Sequence, residues 1–159
     1  MSYATFEQLE SQVFKKAKKR RVAVVEAADA HVLEAVRHAV EVGLVDPLLF
    51  GKRADVEARM AAMDMDIPAW EIADCPEPAD SALQAGIAVK EGRADFILKG
   101  LIPTGQLLKG LFKEETGFRT GRLISHMNIV QLRTYPKRLA LCDAAINIAP
   151  TLEQKKDIL

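Results

Sequence analysis

The sequence predicts a three-layer α/β fold with a mostly parallel sheet and an antiparallel hairpin. Short runs of apolar and β-branched residues alternate with amphipathic helical segments over most of the chain. The joints between these segments are short, which favours right-handed crossovers and parallel strands with helices on both faces of the sheet. The length of 159 residues is enough for one such domain with a substantial core. We therefore expect a single α/β domain over residues 1–159.

The chain begins with a predicted helix and a basic run. Residues 6–19 have apolar side chains at helical spacing, and lysines and arginines are concentrated over residues 15–21. A basic run is one pattern of nucleic-acid binding or localisation signals. It is also typical of a solvated helix end, where cations offset the helix dipole. No other basic stretch extends the run, and this favours the second interpretation.

Three strand–helix pairs follow. The predicted strands are residues 21–27, 46–51 and 70–73, and the predicted helices are residues 29–43, 54–65 and 81–91. Asp29 is placed to cap the first of these helices, and Gly43 is placed to end it. Residues 75–78 contain two prolines, so we expect them to separate the third strand from the third helix.

The stretch over residues 94–110 is the most informative for function. It predicts a buried parallel strand at 96–98 with Lys99 at its carboxyl end, then a helix over 106–111 with Thr104 as its N-cap. Open α/β sheets bind ligands at the carboxyl ends of their strands, and the free amides at a helix start attract anions. A capping Thr and a nearby Lys also occur for ordinary structural reasons. The stretch nevertheless fits a phosphate-type anion site.

The last part of the chain has a different pattern. Two alternating runs, residues 127–132 and 139–142, predict an antiparallel hairpin appended to the parallel sheet. Thr151 and Gln154 have the spacing of a capping box, so a helix is expected to start at Leu152. Because about two turns of this helix would fit before the last residue, we expect the chain to stop within an element.

Charge and hydropathy argue against two classes of partner. Lys plus Arg and Asp plus Glu each number 22, so the net charge is zero. This balance gives no overall attraction to nucleic acid or to anionic membranes. No apolar run approaches the roughly 20 residues of a membrane span, and the N-terminus lacks the apolar segment of a signal peptide. The sequence is therefore interpreted as that of a cytoplasmic protein.

The cysteines and histidines indicate neither a disulfide framework nor a metal site. Cys75 and Cys142 are far apart, and Cys142 lies in an apolar run where a thiol is expected to be a small buried hydrophobe. His31 and His38 lie seven residues apart, with no carboxylate or cysteine placed to complete a metal site, and we expect them to be solvated. Glycine motifs of dinucleotide-binding folds and of P-loops are also missing from the strand–helix turns.

Four segments of the chain resemble the phosphate acyltransferases. They are the segments KGLIPT at 99–104, LLK at 107–109, RTGRLISH at 119–126 and DAAINIAP at 143–150. Together with the opening segment, they resemble the phosphate butyryltransferase branch most, with phosphate acetyltransferase more distant. The resemblance implies reversible transfer of an acyl group between coenzyme A and inorganic phosphate. It also implies a fold similar to isocitrate and isopropylmalate dehydrogenases, with two lobes around a cleft, and usually a homodimer.

The resemblance implies a set of residues that bind phosphate and coenzyme A. Cations and neutral donors in the matching segments are suited to phosphate and to the charge that develops on the acyl oxygen. The candidates are Lys99, Thr104, Lys109, Arg122, Ser125, His126, Asp143 and Asn147. Ser125 and His126 are adjacent, so in a strand at most one would face the cleft. Asp143 and Asn147 are equally suited to pinning a loop. The coenzyme A thioester is expected as a substrate, with no covalently bound cofactor.

Family members are about twice as long as this chain, and the residues thought to manage the thiol lie in their second half. No catalytic residue is therefore assigned. The chain is expected to be the first part of an acyltransferase that lacks the second lobe, and we expect it to be insufficient for turnover. Two other hypotheses stay open. One is a natural binding module that senses phosphate or acyl-coenzyme A without catalysis, and the other is an assembly piece.

Overall fold

The computed structural model describes residues 5–16, 18–65, 70–144 and 146–159, without the side chains of residues 15 and 16. Its contacts divide the chain into two compact units. The unit Ala17–Arg119 is called the sheet unit below. The other combines the segment up to Lys16 with Thr120–Leu159 and is called the hairpin unit. The expectation of a single domain over the whole chain stays a prediction.

The sheet unit is built on four parallel strands in the order β3-β2-β1-β4. The strands are β1 (Arg20–Val25), β2 (Val45–Gly51), β3 (Glu71–Asp74) and β4 (Phe96–Lys99). The helices are α2 (Ala30–Glu41), α3 (Arg53–Ala61), α4 (Pro78–Lys90) and α5 (Thr104–Leu111), followed by a 3₁₀ turn at Glu114–Thr116. The predicted parallel α/β architecture is confirmed.

Side chains of β1 alternate between two cores, one on each face of the sheet. Val22 and Val24 pack with the buried residues of α2 and α3. Ala23 and Val25 pack with three alanines of α4 and with Leu107 of α5. Because successive strand residues point to opposite faces, one apolar strand can support both helical layers. The unit therefore has the three layers that the sequence predicts.

Among the helices of the sheet unit, α3 and α4 each have one boundary that differs from the predicted one by at least three residues. Helix α3 ends at Ala61, before the predicted residue 65, and Asp64 then has a left-handed φ of 51°. A left-handed residue stops an α-helix, while Met65 returns to the core and donates its N–H to the Met60 carbonyl. Helix α4 begins at Pro78, earlier than predicted, because proline fits the first helical turn.

The predicted burial of strand β4 is wrong. Phe96 and Leu98 are 43% and 36% exposed, because β4 lies at the edge of the four-stranded sheet. The basic run is only partly described, since Ala17 and the side chains of residues 15 and 16 lie outside the described residues. Its later members form ion pairs: Lys19 with Asp46, Arg20 with Asp95, and Arg21 with Glu71. These cations therefore hold strand ends and do not form a free basic patch.

The hairpin unit contains α1 (Phe6–Lys16), β5 (Met127–Val130), β6 (Leu139–Cys142) and α6 (Leu152–Ile158). Strands β5 and β6 pair antiparallel, as predicted, but form a two-stranded sheet of their own and not an extension of the parallel sheet. Cys142 is exposed, which corrects the predicted burial, because this two-stranded sheet leaves residues on both of its faces exposed, Ile129 and Leu141 among them. The predicted Thr151–Gln154 capping box at the start of α6 is present.

Helices α4 and α5 approach closely through small residues. A Cβ added to Gly110 would overlap the Ala82 Cβ and lie 3.1 Å from the Ala79 carbonyl oxygen. A Cβ added to Gly86 would lie 3.3 Å from the Leu111 Cδ2 of α5 and 2.7 Å from the Thr116 Cγ2 in the 3₁₀ turn that follows. These contacts fix how α5 sits on the sheet unit, and the start of α5 is where the sequence predicts an anion site.

Gly110→Ala is expected to lower the free energy of unfolding by about 1–3 kcal/mol, because the added methyl group overpacks the α4–α5 contact. Gly105→Ala is the matched control in the same helix, since nothing lies within 4 Å of the added Cβ. It is expected to stabilise the chain by about 0.4–1 kcal/mol by restricting the unfolded state. Urea unfolding measures both. Equal effects of the two substitutions would show that the close approach does not constrain α5.

Candidate functional site

The sheet unit has a topological switch point at the carboxyl ends of β1 and β4. The chain leaves β1 toward α2 on one face of the sheet and leaves β4 toward α5 on the other. Open α/β sheets bind ligands in the crevice that such diverging connections create. The segment that follows Lys99 is therefore in the position where this fold class most often places a ligand.

The two strand ends are joined by backbone hydrogen bonds that continue past the strands. Gly100 donates its N–H to the Val25 carbonyl at 2.7 Å, and Leu101 donates its N–H to the Glu26 carbonyl at 3.1 Å. A Cβ on Gly100 would overlap both carbonyl oxygens. Only glycine fits here without moving the backbone. Gly100 therefore sets the position of the turn that leads into α5.

The start of α5 leaves two amides free. Thr104 is the first helical residue and Pro103 is the N-cap, so the predicted capping role of Thr104 is wrong. The Pro103 carbonyl accepts the N–H groups of Gln106 and Leu107, both at 3.0 Å. Proline has no backbone N–H, so at the N-cap position it leaves no donor without a partner. Within the described part of the chain, the amides of Thr104 and Gly105 have no partner, and both residues are exposed.

Of the two lysines predicted for the site, Lys99 and Lys109, one lies at the turn before α5 and the other lies near the end of that helix. Lys99 ends β4 and is exposed, and the one hydrogen bond that its Nζ makes to a described residue is a long one of 3.4 Å to the Gly100 carbonyl. Its ammonium group can therefore turn toward an anion at the α5 start. Lys109 lies in the last turn of α5, about 7.5 Å along the helix axis from Thr104. Lys99 and Thr104 flank the same turn, and Lys109 does not.

Glu26 and Ser81 form a polar pair at this edge that sequence reasoning missed. Glu26 has a left-handed φ of 54°, which costs a residue other than glycine about 1–3 kcal/mol. Its Oε1 accepts a hydrogen bond of 2.5 Å from the Oγ of Ser81, which is fully buried in α4. Burial raises the pKa of the neighbouring Cys75 thiol, which Ser81 also contacts. Two sequence signals could have indicated this pair. They are a serine among the small apolar residues of α4 and a glutamate directly after an apolar strand.

In the hairpin unit, Asp143 and Asn147 pin a loop. The Asp143 Oδ1 accepts the N–H of Ile146 at 2.8 Å and that of Asn147 at 3.2 Å. The Asn147 Nδ2 donates to the Asp143 Oδ2 and, at 2.8 Å, to the Ile124 carbonyl. Asp143 has a left-handed φ of 52°, which these bonds help to hold. The geometry matches the loop-pinning role that the sequence left open for this pair.

Arg122 forms an ion pair with a carboxylate of the same unit. Its Nη2 lies 2.7 Å from the Asp157 Oδ1 on α6, and the Leu123 N–H donates to the Asp157 Oδ2 at 3.3 Å. The hydrogen bond from Arg122 lowers the pKa of Asp157, and the same bond raises the pKa of Arg122. A phosphate that used Arg122 would therefore compete with Asp157 for the guanidinium.

Ser125 and His126 lie directly before β5. Ser125 is exposed and His126 is half-buried, and the His126 carbonyl accepts the Asp143 N–H at 2.6 Å. The His126 Nδ1 is buried and has no partner among the described residues. The expectation that at most one of the two faces the cleft stays a prediction.

The eight predicted residues thus fall into two groups. Lys99, Thr104 and Lys109 belong to the sheet unit, and the other five belong to the hairpin unit. In the described ranges, no group of three or more His, Cys, Asp or Glu side chains is arranged to hold a metal ion. None of the helices described is both long enough and apolar enough to cross a membrane.

Known proteins match the chain over most of its length. The model of the phosphate acetyl/butaryl transferase family matches residues 5–85 and 77–159. Phosphate butyryltransferase of Clostridium acetobutylicum is 36% identical over 140 residues, which cover 88% of this chain and 46% of the relative. Phosphate acetyltransferase of Thermotoga maritima is 35% identical over 145 residues, which cover 89% of this chain and 48% of the relative.

Two solved structures share the fold. A branched-chain phosphotransacylase from Enterococcus faecalis matches with a TM-score of 0.70 and 28% identity, over 87% of this chain and 48% of that chain. A phosphotransacetylase from Streptococcus pyogenes matches with a TM-score of 0.74 and 17% identity, over 97% of this chain and 56% of that chain. The chain spans about half the length of the relatives it matches.

Arg122→Ala is expected to raise the pKa of Asp157 toward the ordinary value of about 3.9. The pKa of Asp157 is lowered by folding, so its ion pair stabilises the fold at neutral pH, and this contribution is lost as the pH falls below about 4. Carboxyl ¹³C NMR of Asp157 measures the titration midpoint. Arg119→Ala, which removes an arginine from the sheet unit, should leave it unchanged. An unchanged midpoint in Arg122→Ala would contradict the assigned pair.

Proposed function

The chain belongs to the phosphate acetyl/butyryl transferase family, and we propose that it supplies phosphate- and acyl-coenzyme A-binding residues of a phosphate butyryltransferase-like enzyme. The reaction is reversible transfer of an acyl group from coenzyme A to inorganic phosphate. A phosphate oxygen attacks the thioester carbonyl carbon, the carbon–sulfur bond breaks, and the coenzyme A thiolate takes up a proton. The coenzyme A thioester is a substrate, and the proposal includes no covalently bound cofactor.

The observation that carries the proposal is the turn over residues 100–105. It presents the free amides of Thr104 and Gly105 beside the Lys99 ammonium, at the switch point of a parallel sheet. Two amides, a hydroxyl group and a mobile cation are suited to phosphate oxygens and to a developing negative charge. Lys99 acts as a point charge, and the Thr104 amide and hydroxyl act as directed donors.

The remaining predicted residues take supporting roles in the proposal. Lys109 and Arg122 add positive charge, although Arg122 must first leave Asp157. Ser125 and His126 supply donors next to the loop that Asp143 and Asn147 pin. In the full-length protein, we propose a cytoplasmic homodimer, and the exposed Met127, Ile129 and Leu141 of the hairpin are suited to burial in an assembly.

We propose that the 159-residue chain alone does not turn over, because it spans about half of each catalytic relative. A second candidate function is a non-catalytic module that binds phosphate or acyl-coenzyme A. It is favoured by one observation: the turn over residues 100–105 lies entirely within the sheet unit, so its amides are in place without any other segment.

Lys99→Gln is expected to weaken phosphate binding about fivefold, because it removes the charge beside the free amides. The measurement is the rise of the melting temperature with inorganic phosphate at constant ionic strength, since a ligand of the native state raises the midpoint by mass action. Lys113→Gln is the matched control, because Lys113 is exposed and follows α5. Equal loss in both variants would indicate general electrostatics and contradict a site at the turn.

Phosphate-dependent thiol release from acetyl-, propionyl- and butyryl-coenzyme A tests the catalytic proposal. If the reading frame of the source gene extends beyond Leu159, the assay compares the 159-residue chain with that longer product. Activity in the longer product alone is the expected result, and the best substrate then assigns the branch. Turnover of about 1 s⁻¹ or more by the 159-residue chain would contradict its proposed insufficiency. Phosphate binding without turnover in either protein would favour the binding module.

A further inference from the structure

A carboxylate lies at the same sheet edge as the proposed anion site. Glu26 directly follows β1, and its carbonyl oxygen accepts the N–H of Leu101 in the turn that leads to Thr104. A carboxylate that could turn toward the free amides of Thr104 and Gly105 would compete for them and would repel a bound anion. At a phosphate site on this turn, the affinity would therefore depend on where the Glu26 carboxylate is held.

The structure shows one specific partner for that carboxylate. The Oγ of Ser81 donates a hydrogen bond of 2.5 Å to the Glu26 Oε1, and the residues are 55 positions apart in the sequence. Glu26 is half-buried, and its left-handed backbone places its carbonyl on Leu101 while its side chain reaches α4. One residue therefore holds the turn with its backbone and α4 with its side chain.

The buried position of Ser81 points to a polar role. Ser81 has 0% exposure, and the neighbouring buried residues of α4 include Ala82 and Ala85. A hydroxyl group in such a place costs free energy unless it is hydrogen-bonded, and alanine would fill the helix equally well. A serine within a helix often donates to the carbonyl four residues earlier. Here the Ser81 hydroxyl donates to Glu26 instead.

We propose that Ser81 is a positioning residue that holds the Glu26 carboxylate away from the amides of Thr104 and Gly105 and so sets the phosphate affinity of the turn. The inference rests on the proposed function of this turn. Charge and geometry act separately here: the Glu26 backbone positions the turn, while Ser81 keeps the Glu26 charge out of it.

Four variants separate the charge effect from general damage. Ser81→Ala removes the hydroxyl, and Glu26→Asp withdraws the carboxylate from Ser81 by one methylene while leaving α4 intact. Both are expected to weaken phosphate binding about fivefold to tenfold, as an added like charge near the site would. Glu26→Gln keeps an acceptor for Ser81 and should bind at least as tightly as the wild type. In the double variant Ser81→Ala, Glu26→Gln, the phosphate affinity should return to within about twofold of the wild-type value, because residue 26 then carries no negative charge.

The measurement is a titration of the ¹⁵N-labelled chain with inorganic phosphate at constant ionic strength. The amide shifts of Thr104 and Gly105 report binding directly at the turn. Glu77→Gln is the matched control, since it removes an exposed acidic charge at the N-cap of α4 and keeps the Glu77 backbone carbonyl that accepts the Ser81 N–H. It is expected to leave the affinity unchanged. If Ser81→Ala does not fold, Glu26→Asp and Glu26→Gln carry the test.

Two results would overturn the inference while leaving the proposed function in place. One is wild-type phosphate affinity in Ser81→Ala or, if that variant does not fold, in Glu26→Asp. The other is a double variant as weak as Ser81→Ala, because the loss would then come from the shape of the turn and not from charge. A wild-type chain in which phosphate shifts neither amide would overturn the proposed site, and this inference with it.

Discussion

The close approach of β4 to β1 beyond the ends of the strands is the contact on which the proposed site depends. Gly100 lies against the carbonyl oxygens of Val25 and Glu26, and no larger residue fits there without a backbone shift. That approach lets Leu101 bond to Glu26, and the turn then reaches Pro103 with the start of α5 fixed. The free amides of Thr104 and Gly105 are thus a consequence of backbone packing between two parallel strands. The Gly110 contact with α4 holds the same helix near its C-terminal end.

The hairpin unit uses polar side chains in a different way. Asp143 and Asn147 bond to each other and to nearby backbone groups, and Arg122 bonds to Asp157. Their hydrogen bonds are made within the unit, whereas Thr104 and Gly105 in the sheet unit present free donors. Polar residues that already have partners stabilise loops, and donors without partners attract ligands. This contrast is why the proposed function is assigned first to the turn after Lys99.

Much of the fold could be predicted because local sequence signals agreed with the tertiary structure. Asp29 caps α2 and accepts the Val32 N–H, and Thr151 with Gln154 caps α6, since both motifs act within one turn of helix. Errors arose where long-range contacts decide. The exposure of Phe96 follows from the edge position of β4, and the exposure of Cys142 from a sheet of only two strands. A local run of apolar residues predicts neither the order of strands in a sheet nor their number.

The site could be predicted only in part for the same reason. The segment KGLIPT lies at a carboxyl strand end, as the sequence predicts, and an anion site there stays a prediction. Pro103 is the N-cap of α5 in place of Thr104. The Glu26–Ser81 pair joins the residue after β1 to a residue of α4, and no local spacing connects the two. The most direct test of a phosphate site at the turn is anomalous diffraction from crystals of the chain soaked in arsenate. The account predicts an arsenic peak about 4 Å or less from the amide nitrogens of Thr104 and Gly105, as hydrogen bonds to its oxygens require. Arsenate bound elsewhere, with none at this turn, would contradict it.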